Sequence, residues 1–363
     1  MERYRIGLIP GPVRIPEEIR KAWLNDYASS DLEDEFFALY RENQNLTRRL
    51  LHTQNDIVIT SGEAMSILWA SLKCTLRPGE KMLAVSSGLF GDGFADMAES
   101  FGVEAEICSF PYDDVPDPER VREHVLKFRP KVITAVHCET PSGTLIPAQC
   151  LREIGEAAHE VGALFVVDFV SSAGGAPLDV DASGIDIGLL GSQKVLSLTP
   201  SLSVASVSPR AWDEIDSVNY PGYEAFTGWK NVPEVHYMPY THDWHAMKAL
   251  NISLNMIMRE GLTSVLERHE EAAKLCRELG REMGLKLFPK SEGISSPTVT
   301  AFYVPENLTW PELDASLRAK GLAVGGNYGS LSGKVFRIGH MGSQADLELV
   351  REGMNIIRSE IMK

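Results

Sequence analysis

The chain has 363 residues, of which 44% are hydrophobic and 23% are charged, and its formal net charge at pH 7 is −15. This length exceeds what one small hydrophobic core organises, so we expect a large domain with a smaller one beside it. An acidic surface repels nucleic acids and anionic membranes, and no apolar run reaches the roughly 20 residues that cross a bilayer.

Short apolar runs alternate with longer amphipathic stretches in the first part of the chain. The runs predict strands at 56–60, 81–86, 103–110, 131–137, 163–169, 186–190 and 202–208. Between most of them, helical periodicity predicts helices at 63–75, 91–101, 117–128 and 147–161. Several runs are apolar on both faces, as in parallel strands that are covered on both sides. The pattern predicts an α/β fold with a doubly wound, mostly parallel, seven-stranded sheet.

After residue 210 this alternation ends. Long helices are predicted at 244–259 and 262–283, followed by shorter helices at 310–320 and 346–362. Apolar runs at 285–289, 298–304 and 335–339, with a glycine-rich strand–turn region at 321–333, lie among them. We therefore predict an N-terminal arm of residues 1–15, a large domain of residues 16–255 and a smaller C-terminal α+β domain of residues 256–363.

Two ionisable residues follow neighbouring predicted strands. Doubly wound sheets bind ligands beyond the carboxyl ends of their strands. Asp168 closes an apolar run, and Lys194 lies after the next one, 26 positions later. Singly, they fit a helix cap and a surface lysine. Together they suit pyridoxal 5′-phosphate (PLP), because a carboxylate keeps the pyridine nitrogen protonated and a lysine carries the aldehyde as a Schiff base.

Other strand ends offer candidate binding groups, each with a structural alternative. Residues 60–64 (TSGEA) lead into a helix, where backbone N–H groups form either an anion cup or an ordinary capped turn. Phe90 lies in a glycine-flanked loop and is either a stacking ring or a core residue. Arg337 interrupts an apolar strand, so it binds either a ligand carboxylate or an internal one.

These segments together resemble the class V aminotransferases of PLP fold type I, in particular the alanine–glyoxylate and serine–pyruvate aminotransferases. The motifs are Pro10-Gly11-Pro12, HCETPSGT at 137–144, VVDFVSS at 166–172, GSQK at 191–194 and FRIGHMG at 336–342. They agree with the family in order and spacing, and the resemblance covers nearly the whole chain.

The resemblance implies roles for individual residues. Lys194 carries PLP and moves the substrate α-proton, and Asp168 pairs with the pyridine nitrogen. Arg337 binds the substrate carboxylate, and Gly11 lines the substrate pocket. The other implied cofactor contacts are Phe90 and Val170 on the ring faces, Thr140 near the ring hydroxyl, and Gly62, Glu63, Ala64 and Gln193 at the phosphate. Thr241, with Tyr240 or Tyr237 beside it, would reach that phosphate from a second subunit, so a homodimer with composite active sites is implied.

Glu63 departs from the family, which commonly has Thr or His at this position. A carboxylate beside a phosphate dianion repels it. Pyridoxamine–pyruvate aminotransferase, which takes unphosphorylated pyridoxamine, also has a Glu here. Against that alternative, Gln193 is kept, and Tyr328 stands where that enzyme has a second arginine. We therefore predict transfer of an amino group from a small L-amino acid (alanine or serine) to a 2-oxo acid (glyoxylate or pyruvate), with pyridoxamine–pyruvate transfer as the alternative.

Two further segments that border the site depart from the family pattern. They are Thr199-Pro200-Ser201, in place of Pro-Pro-Gly, and His242-Asp243-Trp244 after Thr241. The preferred substrate can therefore differ from alanine or serine.

Other protein classes fit the sequence less well. A cysteine desulfurase needs a mobile loop cysteine and usually a His before the lysine, whereas Gln193 precedes Lys194 and Cys276 lies in a helical pattern. A PLP-binding regulator needs an added DNA-binding segment. The five cysteines lack metal-ligand spacing and the N-terminus lacks a signal-peptide core, so we expect reduced thiols, no metal site and a cytoplasmic protein.

Overall fold

The structure, a computed structural model, describes residues 4–362 and is built around a seven-stranded sheet. The strands of this sheet are β2 (Asp56–Ser61), β3 (Lys81–Ser86), β4 (Glu104–Ser109), β5 (Val132–Val136), β8 (Leu164–Asp168), β9 (Ile187–Gly191) and β10 (Leu202–Val207). Their order is β2-β10-β9-β8-β5-β3-β4, and only β10 runs antiparallel to its neighbours. The prediction of a mostly parallel seven-stranded sheet is confirmed, because each of the seven apolar runs predicted between residues 56 and 208 became one of its strands.

Helices cover the sheet and connect its strands. Those between β2 and the end of the sheet are α3 (Ala64–Thr75), α4 (Leu89–Glu99), α5 (Pro118–Phe128), α6 (Ala148–Glu160) and α7 (Pro209–Val218). Strands β5, β8 and β9 are buried along their whole length, as expected for strands between two helical layers. A short hairpin of β6 (Cys138–Glu139) and β7 (Thr144–Leu145) follows β5.

The N-terminal part of the large unit contains helices that the sequence patterns did not predict. Helix α1 (Glu17–Arg20) is followed by the long helix α2 (Asp34–Leu51). Helix α2 is amphipathic and buries a row of side chains that includes Phe36, Tyr40 and Leu51. Tyr40 also hydrogen-bonds the backbone of Ile59 in β2, so α2 packs on the edge strand of the sheet.

The C-terminal half contains α8 (Val232–Val235), α9 (Trp244–Glu260), α10 (Leu262–Glu282), α11 (Trp310–Ala319) and α12 (Leu347–Ile361). Its strands are β11 (Val299–Tyr303), β12 (Leu322–Val324) and β13 (Val335–Gly339), and β11 pairs antiparallel with β13. The apolar run at 285–289 forms one isolated bridge, Leu287 to Phe302, instead of a strand. The predicted domain boundaries stay a prediction, and residues 1–3 and 363 of the predicted arm and small domain lie outside the described residues.

The N-terminal arm belongs structurally to the C-terminal layer. Strand β1 (Ile6–Leu8) pairs parallel with β12, and Ile6 and Leu8 join the second of the two large hydrophobic clusters. From β1 the chain crosses to the carboxyl end of β9, where Val13 N–H donates to the Gln193 carbonyl. The arm therefore connects the C-terminal part of the chain, which contains β12, with the predicted site. Within residues 4–362, no helix is long and apolar enough to cross a membrane.

Candidate active site

Lys194 lies in the loop after β9, half-buried between the arm and the sheet. Its Nζ donates a hydrogen bond of 2.7 Å to the Pro10 carbonyl. Burial, and to a lesser degree the Arg337 guanidinium, lowers the pKa of the Lys194 ammonium to about 8. Gly11 makes this packing possible, because its φ is +89° and a Cβ there would collide with Lys194 Cδ. An amine in this position can be neutral near physiological pH, as a nucleophile or base requires.

Asp168 ends β8, the neighbour of β9 in the sheet. Its Oδ1 accepts the Val170 N–H at 2.7 Å. Burial raises the pKa of Asp168 to about 6, although the Val170 N–H and the nearby Lys194 both favour the ionised form. A cation placed against this carboxylate would offset the cost of burying its charge.

Lys194 and Asp168 line one cavity of about 530 Å³. Most of the predicted site residues lie around it, namely Gly11, Glu63, Ala64, Phe90, Asp168, Val170, Gln193 and Lys194. Met65, Leu68 and Ser171 also line it and were not predicted. Helical spacing and sequence adjacency could have indicated them, since Leu68 follows Ala64 by one helical turn and Ser171 follows Val170. Pro12, Pro200 and Tyr328 complete the lining.

Thr140 does not line the cavity but lies directly behind it. Its hydroxyl forms a short hydrogen bond with the hydroxyl of Ser171, which does line the cavity. Thr298 Oγ1 donates to the Ser171 carbonyl at 2.7 Å. The predicted contact of Thr140 with the ring hydroxyl stays a prediction, and Ser171 is the residue of this pair that lines the cavity.

At the N-terminus of α3 the Glu63 side chain occupies the predicted anion cup. Its carboxylate accepts the Met65 N–H at 2.8 Å and the Gln193 side-chain amide at 2.6 Å. The other amide atom, Gln193 Oε1, is buried without a hydrogen-bond partner among the described residues. Gly62 does not contribute its N–H to the cup, because that group donates to the Ser201 carbonyl at 2.8 Å. This end of the cavity presents mainly hydrogen-bond acceptors.

Arg337 lies on β13 and is buried, with only 4% of its surface exposed. Its Nε donates to the Gly326 carbonyl at 2.8 Å, and its guanidinium lies 5.0 Å from the centre of the Tyr328 ring. Burial lowers the pKa of this guanidinium, and no Asp or Glu within residues 4–362 forms an ion pair with it. The alternative of an internal ion pair is therefore wrong for the described residues, and the guanidinium keeps its capacity to bind a carboxylate.

The structure does not bring Tyr240 and Thr241 to Lys194 within one chain. Both line a separate small cavity with Ser61, Ser66 and Tyr223. The Tyr240 ring packs 4.3 Å from the ring of Tyr223. Tyr237 is exposed on the same segment.

The cysteine-dependent alternative receives no support from the geometry. All five cysteines are buried, and Cys276 lies inside α10. Burial raises the pKa of the Cys276 thiol to about 12, which opposes formation of a nucleophilic thiolate.

A doubly wound sheet with a half-buried lysine and a buried aspartate after adjacent strands is the arrangement expected of a PLP enzyme of fold type I. Comparison with known proteins specifies the family. A family model described as aminotransferase class-V matches residues 20–343, and the chain belongs to this family. The resemblance predicted from the motifs is thereby confirmed, and the protein is a class V aminotransferase.

Three relatives illustrate the similarity. An uncharacterised aminotransferase of Methanocaldococcus jannaschii is 33% identical over 353 residues, 95% of this chain and 90% of the relative. The pyridoxamine–pyruvate transaminase of Mesorhizobium japonicum is 30% identical over 347 residues, 94% of this chain and 87% of the relative. The crystal structure of an alanine–glyoxylate aminotransferase from Nostoc sp. has a TM-score of 0.94 at 28% identity, covering 99% of this chain and 96% of that one.

Class V aminotransferases depend on PLP, and the cavity can be tested for its fit. The ring end fits, because Phe90 and Val170 provide apolar walls and the buried carboxylate of Asp168 suits a protonated ring nitrogen. Lys194 offers an amine to the aldehyde. At the α3 end, where the resemblance implies the phosphate, Glu63 already accepts the Met65 N–H, so its carboxylate would compete with a phosphate for this group.

Proposed function

We propose that this aminotransferase moves the amino group of a small, uncharged L-amino acid such as alanine or serine to a 2-oxo acid such as glyoxylate or pyruvate. The observation that carries the proposal is Arg337, a buried guanidinium that has no ion pair within residues 4–362 and whose charge acts on Lys194. A carboxylate is the group that both substrate classes share, and it is the natural partner of such a guanidinium.

The proposed roles follow from where each group lies. Bound PLP supplies an electron-withdrawing ring conjugated to the substrate nitrogen. Lys194 Nζ, with its pKa lowered to about 8, accepts the substrate α-proton and returns it to the cofactor side. Asp168 holds the proton on the ring nitrogen, and Arg337 orients the substrate through its carboxylate. Ser171, backed by Thr140, donates or accepts at the ring hydroxyl.

The surroundings of Lys194 favour a substrate without a second charge. Apart from Lys194, the described residues that line the cavity include no cation. Tyr328 covers the Arg337 guanidinium with its ring, and Pro200 and Met65 add apolar surface. A side-chain carboxylate would enter this space without a partner, at a high cost in desolvation.

The proposal includes a homodimer. Tyr223, Tyr237 and Tyr240 expose 61%, 64% and 40% of their surfaces on one chain. Exposed aromatic side chains of this kind are typical of protein interfaces. Thr241 lies in the same segment, so a second subunit packed there would place its hydroxyl toward the partner, in line with the composite site implied by the sequence motifs.

One observation favours a second function, pyridoxamine–pyruvate transfer. The α3 end of the cavity holds the Glu63 carboxylate and the unpartnered Gln193 Oε1. Both are hydrogen-bond acceptors, which suit a hydroxymethyl group that donates a proton better than a phosphate that only accepts. The relative from Mesorhizobium japonicum carries this activity in its name.

One experiment separates the two functions. The purified full-length protein is incubated with PLP, and its visible spectrum is recorded before and after L-alanine, with pyruvate formation measured in parallel. The same protein without PLP is incubated with pyridoxamine and pyruvate. PLP-dependent turnover of alanine supports the first function. Turnover of free pyridoxamine without added PLP supports the second and removes the first.

A further inference from the structure

The arm places a backbone carbonyl on the reactive lysine. Pro10 O accepts a hydrogen bond from Lys194 Nζ at 2.7 Å. The amine makes no other hydrogen bond within residues 4–362. Three residues further along, Val13 N–H donates to the Gln193 carbonyl at 3.0 Å. The position of the Lys194 amine therefore depends on where the arm lies.

The arm in turn lies on β13, the strand that carries Arg337. A Cβ at Gly339 would be 2.5 Å from the Ile9 carbonyl oxygen, and one at Gly325 would be 2.8 Å from Pro10 Cδ. Gly325 exchanges two backbone hydrogen bonds with Arg337, of 2.9 and 2.7 Å. The missing side chains at both glycines let the arm approach the backbone that holds the guanidinium.

Gln344 fastens these two segments together. Its side chain is 1% exposed, and its Nε2 donates to the carbonyls of Ile9 and Gly339, each at 2.8 Å. Both neighbours are carbonyl oxygens, so only the amide nitrogen fits between them. One buried amide therefore joins the arm, next to Pro10, to the end of β13.

We propose that Gln344 is a positioning residue, which holds the arm on β13 so that the Pro10 carbonyl can orient the Lys194 amine. Gln344 does not itself reach the cavity, and it acts through Ile9 and Pro10. The inference rests on the proposed function because it takes Lys194 as the reacting amine. It adds a physical link between that amine and Arg337 that passes through the arm rather than through the sheet.

The charged groups around Lys194 stay in place when this link is cut. Those that act on its amine are Arg337 on β13, Asp168 on β8 and Glu63 before α3, together with the Cys138 thiol on β6, which is uncharged because burial raises its pKa to about 11. None of them is bonded to Gln344 or to Ile9. Loosening the arm should leave these charges unchanged but admit water to the amine, which weakens the burial that lowers the pKa of Lys194, so the ammonium form becomes more populated.

The test measures Lys194 in the cofactor-free, full-length protein. Reductive methylation with formaldehyde and cyanoborohydride is followed at Lys194 by peptide mass spectrometry between pH 6 and pH 9. Gln344→Met keeps the length of the side chain but removes its donors. The matched control is Gln44→Met, since Gln44 is also buried and donates to the Ile57 carbonyl at 2.6 Å, far along the chain from the arm.

We expect the pH midpoint of Lys194 methylation to move to higher pH in Gln344→Met, with a methylation rate at pH 7 about three to ten times lower than that of wild type. Gln44→Met should keep the wild-type midpoint. Gln344→Asn, whose shorter side chain cannot bridge both carbonyls, should shift the midpoint in the same direction and provides the test if Gln344→Met does not fold.

A wild-type midpoint in both Gln344 variants, or an equal shift in Gln44→Met, overturns the proposal. Turnover measurements distinguish this failure from failure of the proposed function. If Lys194→Ala keeps wild-type transamination, Lys194 is not the reacting amine and the proposed function fails. A shifted methylation midpoint in Gln344→Met would still show that Gln344 holds the arm on β13 and thereby positions the Lys194 amine.

Discussion

The side-chain amide of Gln193 donates a hydrogen bond of 2.6 Å to the carboxylate of Glu63 at the N-terminus of α3. The two residues lie at the place where the family resemblance puts the cofactor phosphate. A helix N-terminus attracts one negative group, and here Glu63 already supplies it. A phosphate that binds here would therefore compete with the Glu63 carboxylate for the Met65 N–H and the Gln193 side-chain amide.

Replacing Glu63 by Thr should tighten PLP binding. The change removes a like charge from beside the phosphate and keeps a side chain that can cap α3. We expect the Kd of PLP, measured by titration of the visible absorbance, to fall by roughly tenfold or more. The matched control is Asp117→Thr, because Asp117 caps α5 in the same way and accepts the Glu119 N–H. Equal PLP affinity in Glu63→Thr and wild type would show that Glu63 turns away from the phosphate without cost.

Replacing Arg337 by Gln should weaken every substrate that carries an α-carboxylate. Among the described residues the buried guanidinium has no internal ion pair to lose, so the substitution should mainly weaken binding of the substrate carboxylate. We expect KM for the amino acid and for the oxo acid to rise by about 100-fold. The control is Arg277→Gln, which removes a buried arginine paired with Glu292 and should lower thermal stability with little change in KM. A flat KM in Arg337→Gln would mean that this arginine only supports the fold.

The rate at which the cofactor-free protein captures PLP should depend on pH through Lys194. Only the neutral amine attacks the aldehyde, and the pKa of Lys194 is lowered to about 8. Below that value the capture rate should rise about tenfold per pH unit, and above it the rate should level off. Stopped-flow absorbance measures this profile directly.

Arg337→Gln supplies the internal check on that profile. The guanidinium disfavours the Lys194 ammonium, so its removal should raise the pKa and move the midpoint to higher pH. A midpoint near 10.5, the ordinary value of lysine, in the wild-type protein would contradict the burial of this amine.

Replacing Tyr328 by Arg should broaden the substrate range. Tyr328 lines the cavity and covers the Arg337 guanidinium, and the new side chain would place a second cation there. We expect kcat/KM for aspartate to rise by about tenfold while that for alanine falls. Tyr328→Phe serves as the control, since it removes the hydroxyl without adding charge. No gain for aspartate in Tyr328→Arg would show that another surface selects the side chain.

The large sheet could be predicted from the sequence because its strands are local apolar runs, and the order Asp168 then Lys194 follows from their positions at strand ends. Helix α2 was missed, although Phe36, Tyr40 and Leu51 recur at helical spacing. The pairing of β1 with β12 could not be read from the sequence, since it joins residues more than 300 positions apart.

Within the site, residue types were predictable but their mutual bonds were not. Glu63 was noted as unusual, yet its pairing with Gln193 depends on how two loops meet. Likewise, Gly62 was expected to offer its N–H to the phosphate, and the structure instead pairs that group with Ser201. Thr140 proved to lie behind Ser171. Local motifs specify which groups reach a strand end, whereas tertiary packing decides which of their hydrogen bonds remain free.

The central claim is that Lys194 carries the cofactor, and borohydride trapping tests it most directly. The full-length protein is incubated with PLP, reduced with sodium borohydride, digested and examined by peptide mass spectrometry. We expect a phosphopyridoxyl group on Lys194 in wild type, with Lys194→Ala unlabelled at every lysine. Stable labelling of another lysine, or equal labelling in Lys194→Ala, would contradict it.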